Sequence, residues 1–115
     1  MKTLGQAKKI PPKAAALLRK CKRLIRSFLP DATVLVYGSL ARGTAGAESD
    51  WDILVLTEKL LPSAEQDRIR DAVYGLQLEH DVVISLLFSP RDRWDDPLHR
   101  ATPFHRNVQR EGVLI

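Results

Sequence analysis

Two short apolar runs enclose a Gly-Ser pair and an Asp-x-Asp pair, and this arrangement limits the possible folds more than any other feature. In chain order the segment contains an apolar run at 34–37, Gly38–Ser39, ten further residues, Asp50–Asp52 and a second apolar run at 53–56. Short apolar runs bounded by glycine-rich or acidic residues are typical of buried strands. The segment therefore predicts a strand, a turn that approaches a ligand closely, and a second strand with an acidic start.

The two aspartates are spaced to act together. Residues two apart on a strand project from the same face, with Cα atoms roughly 6 to 7 Å apart, so Asp50 and Asp52 can direct both carboxylates at one point. Mg²⁺ is held by one or two carboxylates and completes its shell with water and substrate phosphates. Gly38 lets the backbone approach a ligand, Ser39 adds a hydroxyl, and residues 40–42 can start a helical turn whose amides favour an anion. We therefore predict a site for a metal-bound polyphosphate.

Other glycine-rich motifs fit this segment less well. Gly38 and Gly43 have the spacing of a Walker-type phosphate loop, but Thr44 stands where that loop requires lysine. The glycines at 38, 43 and 46 are too far apart for a Rossmann fingerprint. A flexible loop followed by a capping Asp50 would not explain why both pairs lie between two apolar strands.

These same residues resemble a known family signature. Gly38-Ser39, ten intervening residues and Asp50-x-Asp52, together with Ala41-Arg42-Gly43 and Ser49, resemble the minimal nucleotidyltransferase domains of the DNA polymerase beta-like superfamily. The resemblance covers roughly residues 13–115. It implies transfer of a nucleoside monophosphate, with AMP from ATP as the expected case, to a hydroxyl group with release of pyrophosphate.

The resemblance also implies roles for the carboxylates. Asp50 and Asp52 would hold the Mg²⁺ that chelates the triphosphate, and a third carboxylate on a neighbouring strand would help to place a second Mg²⁺. Asp81 matches that third position, with Glu79 as the alternative and His80 pointing away. From the residues alone, a turn residue at the head of a strand over residues 79–88 is the more usual interpretation of Asp81.

The nucleotide-binding residues follow from the same resemblance. Gly38 and Ser39 would bind the β and γ phosphates. Arg42 would neutralise the phosphate charge if its side chain turns toward the site. Ser49 belongs to the same nucleotide-binding set.

The length and composition fit one α/β domain with a small mixed sheet and flanking helices. The chain has 115 residues, of which 44% are apolar, enough for one core. We expect residues 1–12 to form a loose lead-in and residues 13–115 to form a single domain.

Apolar periodicity places the helices. The spacing from Lys13 predicts a helix with one buried stripe that includes Cys21 and ends before Pro30. A second helix should run from Ser63 to about Gln77, with Ser63 and Gln66 at the spacing of a capping box.

Past the last strand, the sequence predicts a charged loop over residues 91–96 and a short turn of helix over residues 97–100. Thr102 should cap a helix that starts at Pro103 and ends at Gly112. Residues 113–115 then form an apolar tail. His99 and His105 lack a third ligand at metal-binding spacing, so we interpret them as surface or core residues.

The charge is divided unevenly along the chain. The net charge is +4, and the first thirty residues hold nine Lys and Arg and no acidic residue. Five of these basic residues lie on the outer face of the first predicted helix: Arg19, Lys20, Lys22, Arg23 and Arg26. Either a solvated face or a contact with nucleic acid or an acidic partner would account for them.

The sequence suggests a cytoplasmic protein. Cys21 is the only cysteine, which excludes an intramolecular disulfide and a multi-cysteine zinc site. No apolar run approaches the roughly 20 residues of a membrane span.

The resemblance implies a partner, since larger relatives carry a further domain that helps to bind the acceptor. Family members of this size are commonly paired with a small helical HEPN toxin, which is silenced by transfer of AMP onto a tyrosine. Two alternatives remain open: an antitoxin that acts by contact alone with a vestigial nucleotide site, and a dimeric nucleotidyltransferase that modifies an antibiotic.

Overall fold

A mixed five-stranded sheet separates two layers of helices. The structure, a computed structural model, describes residues 1–46 and 50–115. The helices are α1 (Pro12–Phe28), α2 (Ser39–Arg42), α3 (Ser63–His80), α4 (Arg91–Trp94), α5 (Pro97–Arg100) and α6 (Pro103–Glu111). The strands are β1 (Lys2–Thr3), β2 (Thr33–Tyr37), β3 (Trp51–Thr57), β4 (Ile84–Pro90) and β5 (Val113–Leu114).

The strands lie in the order β1-β5-β2-β3-β4. Strand β2 is antiparallel to both of its neighbours, β3 and β5, whereas β4 is parallel to β3 and β1 is parallel to β5. This is the mixed sheet that the sequence predicts. It places the start of β3 beside the end of β2, where Tyr37 is opposite Asp52.

Each face of the sheet has its own hydrophobic core. Helices α1 and α3 cover one face, where Leu18 and Ile69 pack with Val36 and Ile53. Helices α4 and α6 contribute Trp94 and Val108 to the other face, against residues that include Leu35 and Leu54. The alternation of buried residues along β2 and β3 explains how both faces are filled. Within the described ranges, no helix is long and apolar enough to cross a bilayer.

Helix α1 forms where its apolar spacing predicts. Its buried stripe includes Leu18, Cys21 and Ile25, each fully buried, and Pro12 occupies its first turn, where a missing N–H is tolerated. Burial raises the pKa of the Cys21 thiol to about 12. Cys21 is therefore a core residue rather than a reactive one.

The N-terminal residues are part of the fold, contrary to the expected loose lead-in. Strand β1 pairs with β5, and a 3₁₀ turn follows at Leu4–Gln6. Leu4 and Ile10 are buried in the core that α1 covers. Two apolar side chains separated by five residues gave no periodic pattern, so the sequence did not reveal this packing.

The C-terminal residues also enter the sheet. The predicted apolar tail forms β5, which lies between β1 and β2, and Val113 is buried. Helix α6 precedes it as predicted, with the Thr102 hydroxyl accepting a hydrogen bond from the His105 N–H at 3.2 Å. The expected charged loop at 91–96 contains α4, because Trp94 packs into the core there.

Helix α3 differs from its prediction at both ends. The predicted capping box is absent, since Pro62 is the N-cap residue and the Gln66 side chain donates instead to the Leu61 carbonyl at 2.9 Å. The helix continues to His80, three residues beyond Gln77. Strand β4 consequently starts at Ile84 rather than at residue 79.

Candidate functional site

The two aspartates of the Asp-x-Asp pair lie together at the start of β3. Asp52 is half-buried and Asp50 is exposed. Partial burial raises the pKa of the Asp52 carboxyl, and the negative charge of Asp50 raises that pKa further. The positive charge of Arg42 acts in the opposite direction. These three side chains are therefore close enough to interact electrostatically.

Gly38 lies directly against Asp52. Its φ of 77° lies in the left-handed region that favours glycine. A Cβ atom built on Gly38 would lie 2.6 Å from Oδ2 of Asp52. The absence of a side chain at Gly38 therefore leaves space for the Asp52 carboxylate.

Helix α2 is a single turn that links this glycine to Arg42. Leu40 and Ala41 are buried and anchor the turn. The Arg42 N–H donates to the Gly38 carbonyl at 3.1 Å, so the amides of residues 39–41 precede the first hydrogen bond of the turn. Gly38, Ser39 and Arg42 are thus brought to one end of β2. Ser49, the other predicted nucleotide-binding residue, lies outside the described residues.

Arg42 has a partner that the sequence did not indicate. Its Nη1 atom donates to both carboxylate oxygens of Glu111, each at 3.2 Å. The Arg42 side chain is half-exposed, whereas that of Glu111 is only 16% exposed. Glu111 is the last residue of α6 and is 69 positions away in sequence. The pair links the end of α6 to the end of α2, near the aspartates.

The aromatic side chain of Tyr37 lies next to Asp52. The two residues are opposite each other on β2 and β3. Burial raises the pKa of the Tyr37 hydroxyl, and the charge of Asp52 adds to the increase. The Tyr37 ring packs edge to face on Phe104, with centroids 5.5 Å apart. The sequence predicted Tyr37 only as a strand residue.

Asp81 does not join Asp50 and Asp52. It is the C-cap residue of α3, exposed, with a left-handed φ of 53°, and the register of β4 places Ser85 beside Asp52. Among the residues with described positions, no group of three His, Cys, Asp or Glu side chains is arranged to hold a metal ion. The predicted convergence of three carboxylates is therefore wrong for this structure.

The alternative, Glu79, is no closer to that role. It lies on the last turn of α3, where its Oε1 atom is 3.9 Å from Nε2 of His80. The last residues of α3, Glu79 and His80, lie where the sequence predicts the start of a strand.

The donor set suits one hard divalent cation. Asp50 and Asp52 offer carboxylate oxygens, the ligands that Mg²⁺ prefers, and Mg²⁺ commonly takes only one or two carboxylates from a protein. A cation there would also offset the partial burial and the repulsion from Asp50 that together raise the pKa of Asp52.

Comparison with known proteins identifies the family. The nucleotidyltransferase domain family matches residues 18–108, most of the chain. The chain belongs to that family. The prediction of a nucleotidyltransferase is confirmed, and the matched range includes Gly38, Arg42, Asp50 and Asp52.

Two relatives illustrate the similarity in sequence. A Methanocaldococcus jannaschii protein, provisionally named a protein adenylyltransferase, is 32% identical over 82 residues, which span 71% of this chain and 75% of the relative. A Haemophilus influenzae protein, provisionally named protein adenylyltransferase MntA, is 33% identical over 51 residues, which span 44% and 45%.

Solved structures share the fold. A crystal structure of a toxin–antitoxin with AMP-PNP has a TM-score of 0.59 at 22% identity, covering 84% of this chain and 69% of that one. A mutant of the toxin–antitoxin MntA-HpeT has a TM-score of 0.58 at 22% identity, with coverage of 85% and 70%. These likenesses confirm the predicted α/β fold with a small mixed sheet.

Proposed function

We propose that this protein transfers AMP from ATP to a hydroxyl group of a partner protein. One observation carries the proposal: Asp52 presents its carboxylate against Gly38, with Asp50 and Arg42 within electrostatic range. The family supplies the reaction class, and the relatives provisionally named protein adenylyltransferases support a protein as the acceptor.

In this proposal Asp50 and Asp52 hold one Mg²⁺ through their carboxylate oxygens. When bound, such an ion neutralises phosphate charge and orients a phosphoryl group for in-line displacement. The two carboxylates fix where the triphosphate lies relative to β3. Because Asp81 lies outside the site, we assign no second ion to residues of this chain.

The remaining residues bind and orient the triphosphate. Gly38 lets the backbone approach the phosphates, and Ser39 offers a hydroxyl at the start of α2. Arg42 supplies a fixed positive charge, and its contact with Glu111 limits where the guanidinium can lie. Tyr37 lies opposite Asp52 on the neighbouring strand, beside the proposed metal ligand.

The partner in this proposal is a small helical toxin of the HEPN type. The structural neighbours are toxin–antitoxin crystal structures, one of them with AMP-PNP. Transfer requires the acceptor hydroxyl to be held in line with the α-phosphate. We expect the partner to bring that hydroxyl, from a tyrosine, to the exposed side of Asp50.

The test is co-expression with the protein encoded beside this one, followed by intact-mass measurement of both chains. We expect the partner to gain one or more AMP units and to lose them when Asp52→Asn is used. Asp71→Asn is the matched control, because Asp71 is an exposed carboxylate on α3 away from the site. A partner that gains AMP equally with Asp52→Asn would overturn the proposal.

A contact-only antitoxin is the second candidate, because Asp81 does not complete a three-carboxylate site. It predicts a stable complex with an unmodified partner mass. It also predicts that Asp52→Asn still neutralises toxicity fully. The same experiment therefore separates the two functions.

A further inference from the structure

A groove lined by basic side chains runs along the outer side of α1. Two adjoining cavities of about 740 and 540 Å³ share Arg19, Lys22, Arg26 and Ile115 as lining residues, and Arg23 lines the larger one. We call the surface formed by Arg19, Lys22, Arg23 and Arg26 the basic groove. It lies outside the site described above.

Two arginines of the basic groove have no described partner on this chain. In the described residues, none of the four basic side chains is within ion-pair distance of an Asp or Glu side chain, although Asp31 also lines the smaller cavity. Lys22 donates to the backbone oxygen of Ile115, the last residue of the sequence, at 2.6 Å, and Arg26 donates to the Pro30 carbonyl at 2.7 Å. Arg19 and Arg23 are exposed and make no described side-chain hydrogen bond. The groove therefore presents cations that can bind an external anion.

The lining indicates the kind of anion. Besides the four basic residues, the larger cavity is lined only by Ser27, Pro30 and Ile115. The core of a protein–protein interface is enriched in aromatic residues, Met and Arg and depleted in Lys and acidic residues, whereas this groove has no aromatic residue and includes Lys22. Nucleic-acid interfaces are more polar and much more positive. This composition favours a phosphate backbone over an acidic protein.

The spacing of the arginines also fits a strand of phosphates. Arg19, Arg23 and Arg26 fall on one side of α1, over about 10 Å at 1.5 Å per residue. Each guanidinium group can contact one phosphate of a bound strand, so this row can contact about three phosphates. The planar guanidinium group matches phosphate geometry with two parallel hydrogen bonds.

Ser27 favours RNA over DNA as the occupant. Its hydroxyl donates to the Leu24 carbonyl, which leaves the Ser27 oxygen as an acceptor in the groove. The 2′-hydroxyl of ribose can donate to such an acceptor, and DNA has no equivalent group.

We propose that the basic groove binds single-stranded RNA through its phosphates, independently of sequence. This binding does not depend on the nucleotidyl transfer proposed above. The matched test pair is Arg19→Gln/Arg23→Gln against Arg68→Gln/Arg106→Gln. The control removes the same charge from exposed positions on α3 and α6 that make no described side-chain contact.

The experiment measures the fluorescence anisotropy of a labelled, mixed-sequence RNA 12-mer titrated with the full chain at 50, 100 and 200 mM NaCl. We expect micromolar affinity and a log–log salt slope of about −2, as for about three phosphate contacts on a single strand. Arg19→Gln/Arg23→Gln should weaken binding at least fivefold and reduce the slope by about 1.4. Arg68→Gln/Arg106→Gln should keep the parental slope. Circular dichroism melts confirm that both variants fold.

Four outcomes would overturn the proposal. The first is no RNA binding at 50 mM NaCl, and the second is an equal loss in both double variants, which would indicate net charge alone. The third is competition by polyglutamate as strong as that by RNA at equal charge, which would indicate an acidic protein partner. The fourth is equal affinity for DNA of the same sequence, which would remove the role of Ser27.

Discussion

The backbone conformation of Gly38 and the position of the Asp52 carboxylate depend on each other. Gly38 holds a left-handed φ of 77° and lies where a side chain would meet the Asp52 carboxylate at 2.6 Å. A residue with a Cβ atom has to strain the backbone and displace the carboxylate at once. The position therefore sets both the turn and the direction of the proposed metal ligand.

We predict that Gly38→Ala lowers transfer far more than it lowers stability. The strained φ should cost about 1 to 3 kcal/mol in the free energy of unfolding, while displacement of Asp52 removes the proposed metal ligand from its place. Urea unfolding and transfer assays on the same preparation measure the two effects.

Gly75→Ala provides the control for this substitution. Gly75 is exposed in α3, and nothing lies within 4 Å of a Cβ built there. Alanine should stabilise that helix by about 0.5 to 1 kcal/mol with unchanged transfer. Parental activity in Gly38→Ala would contradict the role given to this contact.

Glu111 acts on the site through Arg42. We predict that Glu111→Gln weakens Mg-ATP binding severalfold, because the freed guanidinium must then be ordered when the triphosphate binds. The effect should be modest, since half-exposed ion pairs contribute about 0.2 to 1 kcal/mol. Isothermal titration calorimetry with a non-hydrolysable ATP analogue measures the affinity.

A double-mutant cycle tests whether Glu111 works through Arg42. In an Arg42→Gln background, Glu111→Gln should change the affinity little, because its partner is already gone. Additive losses in the double variant would show that Glu111 acts independently of Arg42.

The sequence pattern points only to residues of the candidate site that are close together in the chain. Gly38, Ser39, Asp50 and Asp52 lie within fifteen positions and carry a spaced pattern. Glu111 had no such signal, because a glutamate at the end of a helix is ordinary and its contact with Arg42 depends on how α6 packs.

At the scale of elements, the junction between α3 and β4 shows where local reasoning fails. The run from Val82 to Phe88 is apolar enough for a buried strand, and Asp81 directly precedes it. The helix instead continues to His80, and Asp81 takes the left-handed conformation that an aspartate tolerates at a helix C-cap. Helix ends depend on tertiary packing, which the alternation of residues does not encode.

Helix α6 carries a buried histidine that should make stability depend on pH. His105 is 3% exposed and stacks on Trp94 with centroids 4.3 Å apart. Burial lowers the pKa of His105 from its ordinary value of 6.5; the charges of His99 and Arg100 lower it further, and Asp95 partly opposes them. The folded chain therefore prefers neutral His105.

We predict that the free energy of unfolding falls as the pH drops below about 6.5. In that range His105 is protonated in the unfolded state but stays neutral in the folded state. Because the unfolded state binds more protons, lowering the pH favours it over the folded state. The loss ends below the lowered pKa, where both states are protonated. Urea unfolding from pH 7.5 to 4.5 measures this dependence.

His105→Phe supplies the comparison for the pH dependence. It keeps an aromatic ring against Trp94 and removes the titrating group. The decline in stability between pH 6.5 and 5 should become shallower than in the parent. An identical slope in both proteins would show that other groups cause the dependence.

At the scale of the whole molecule, the fold gathers distant parts of the chain at one end of the sheet. The end of β2 supplies Tyr37 and Gly38, the start of β3 supplies the aspartates, and α6 supplies Glu111. Strand β5 pairs with β2 directly after α6, so it fixes where that helix ends relative to the site. The C-terminal residues thus support the proposed site rather than forming a separate tail.

This arrangement leaves two carboxylates close together, and it predicts how stability responds to ligand. We expect Mg-ATP at millimolar concentration to raise the melting temperature, because a ligand that binds only the folded state stabilises it by RT ln(1 + [L]/Kd). That gain is about 2.7 kcal/mol at a hundredfold excess over Kd, or roughly 10 °C or more for a domain of about 100 residues.

Asp52→Asn should melt higher than the parent without ligand, since the repulsion from Asp50 is removed. It should also lose most of the ligand-dependent increase. Differential scanning fluorimetry of both proteins, with Mg²⁺ alone, ATP alone and both together, separates these effects. A melting temperature indifferent to Mg-ATP in the parent, or an equal increase in Asp52→Asn, would contradict the assignment of this pair to a metal-bound triphosphate.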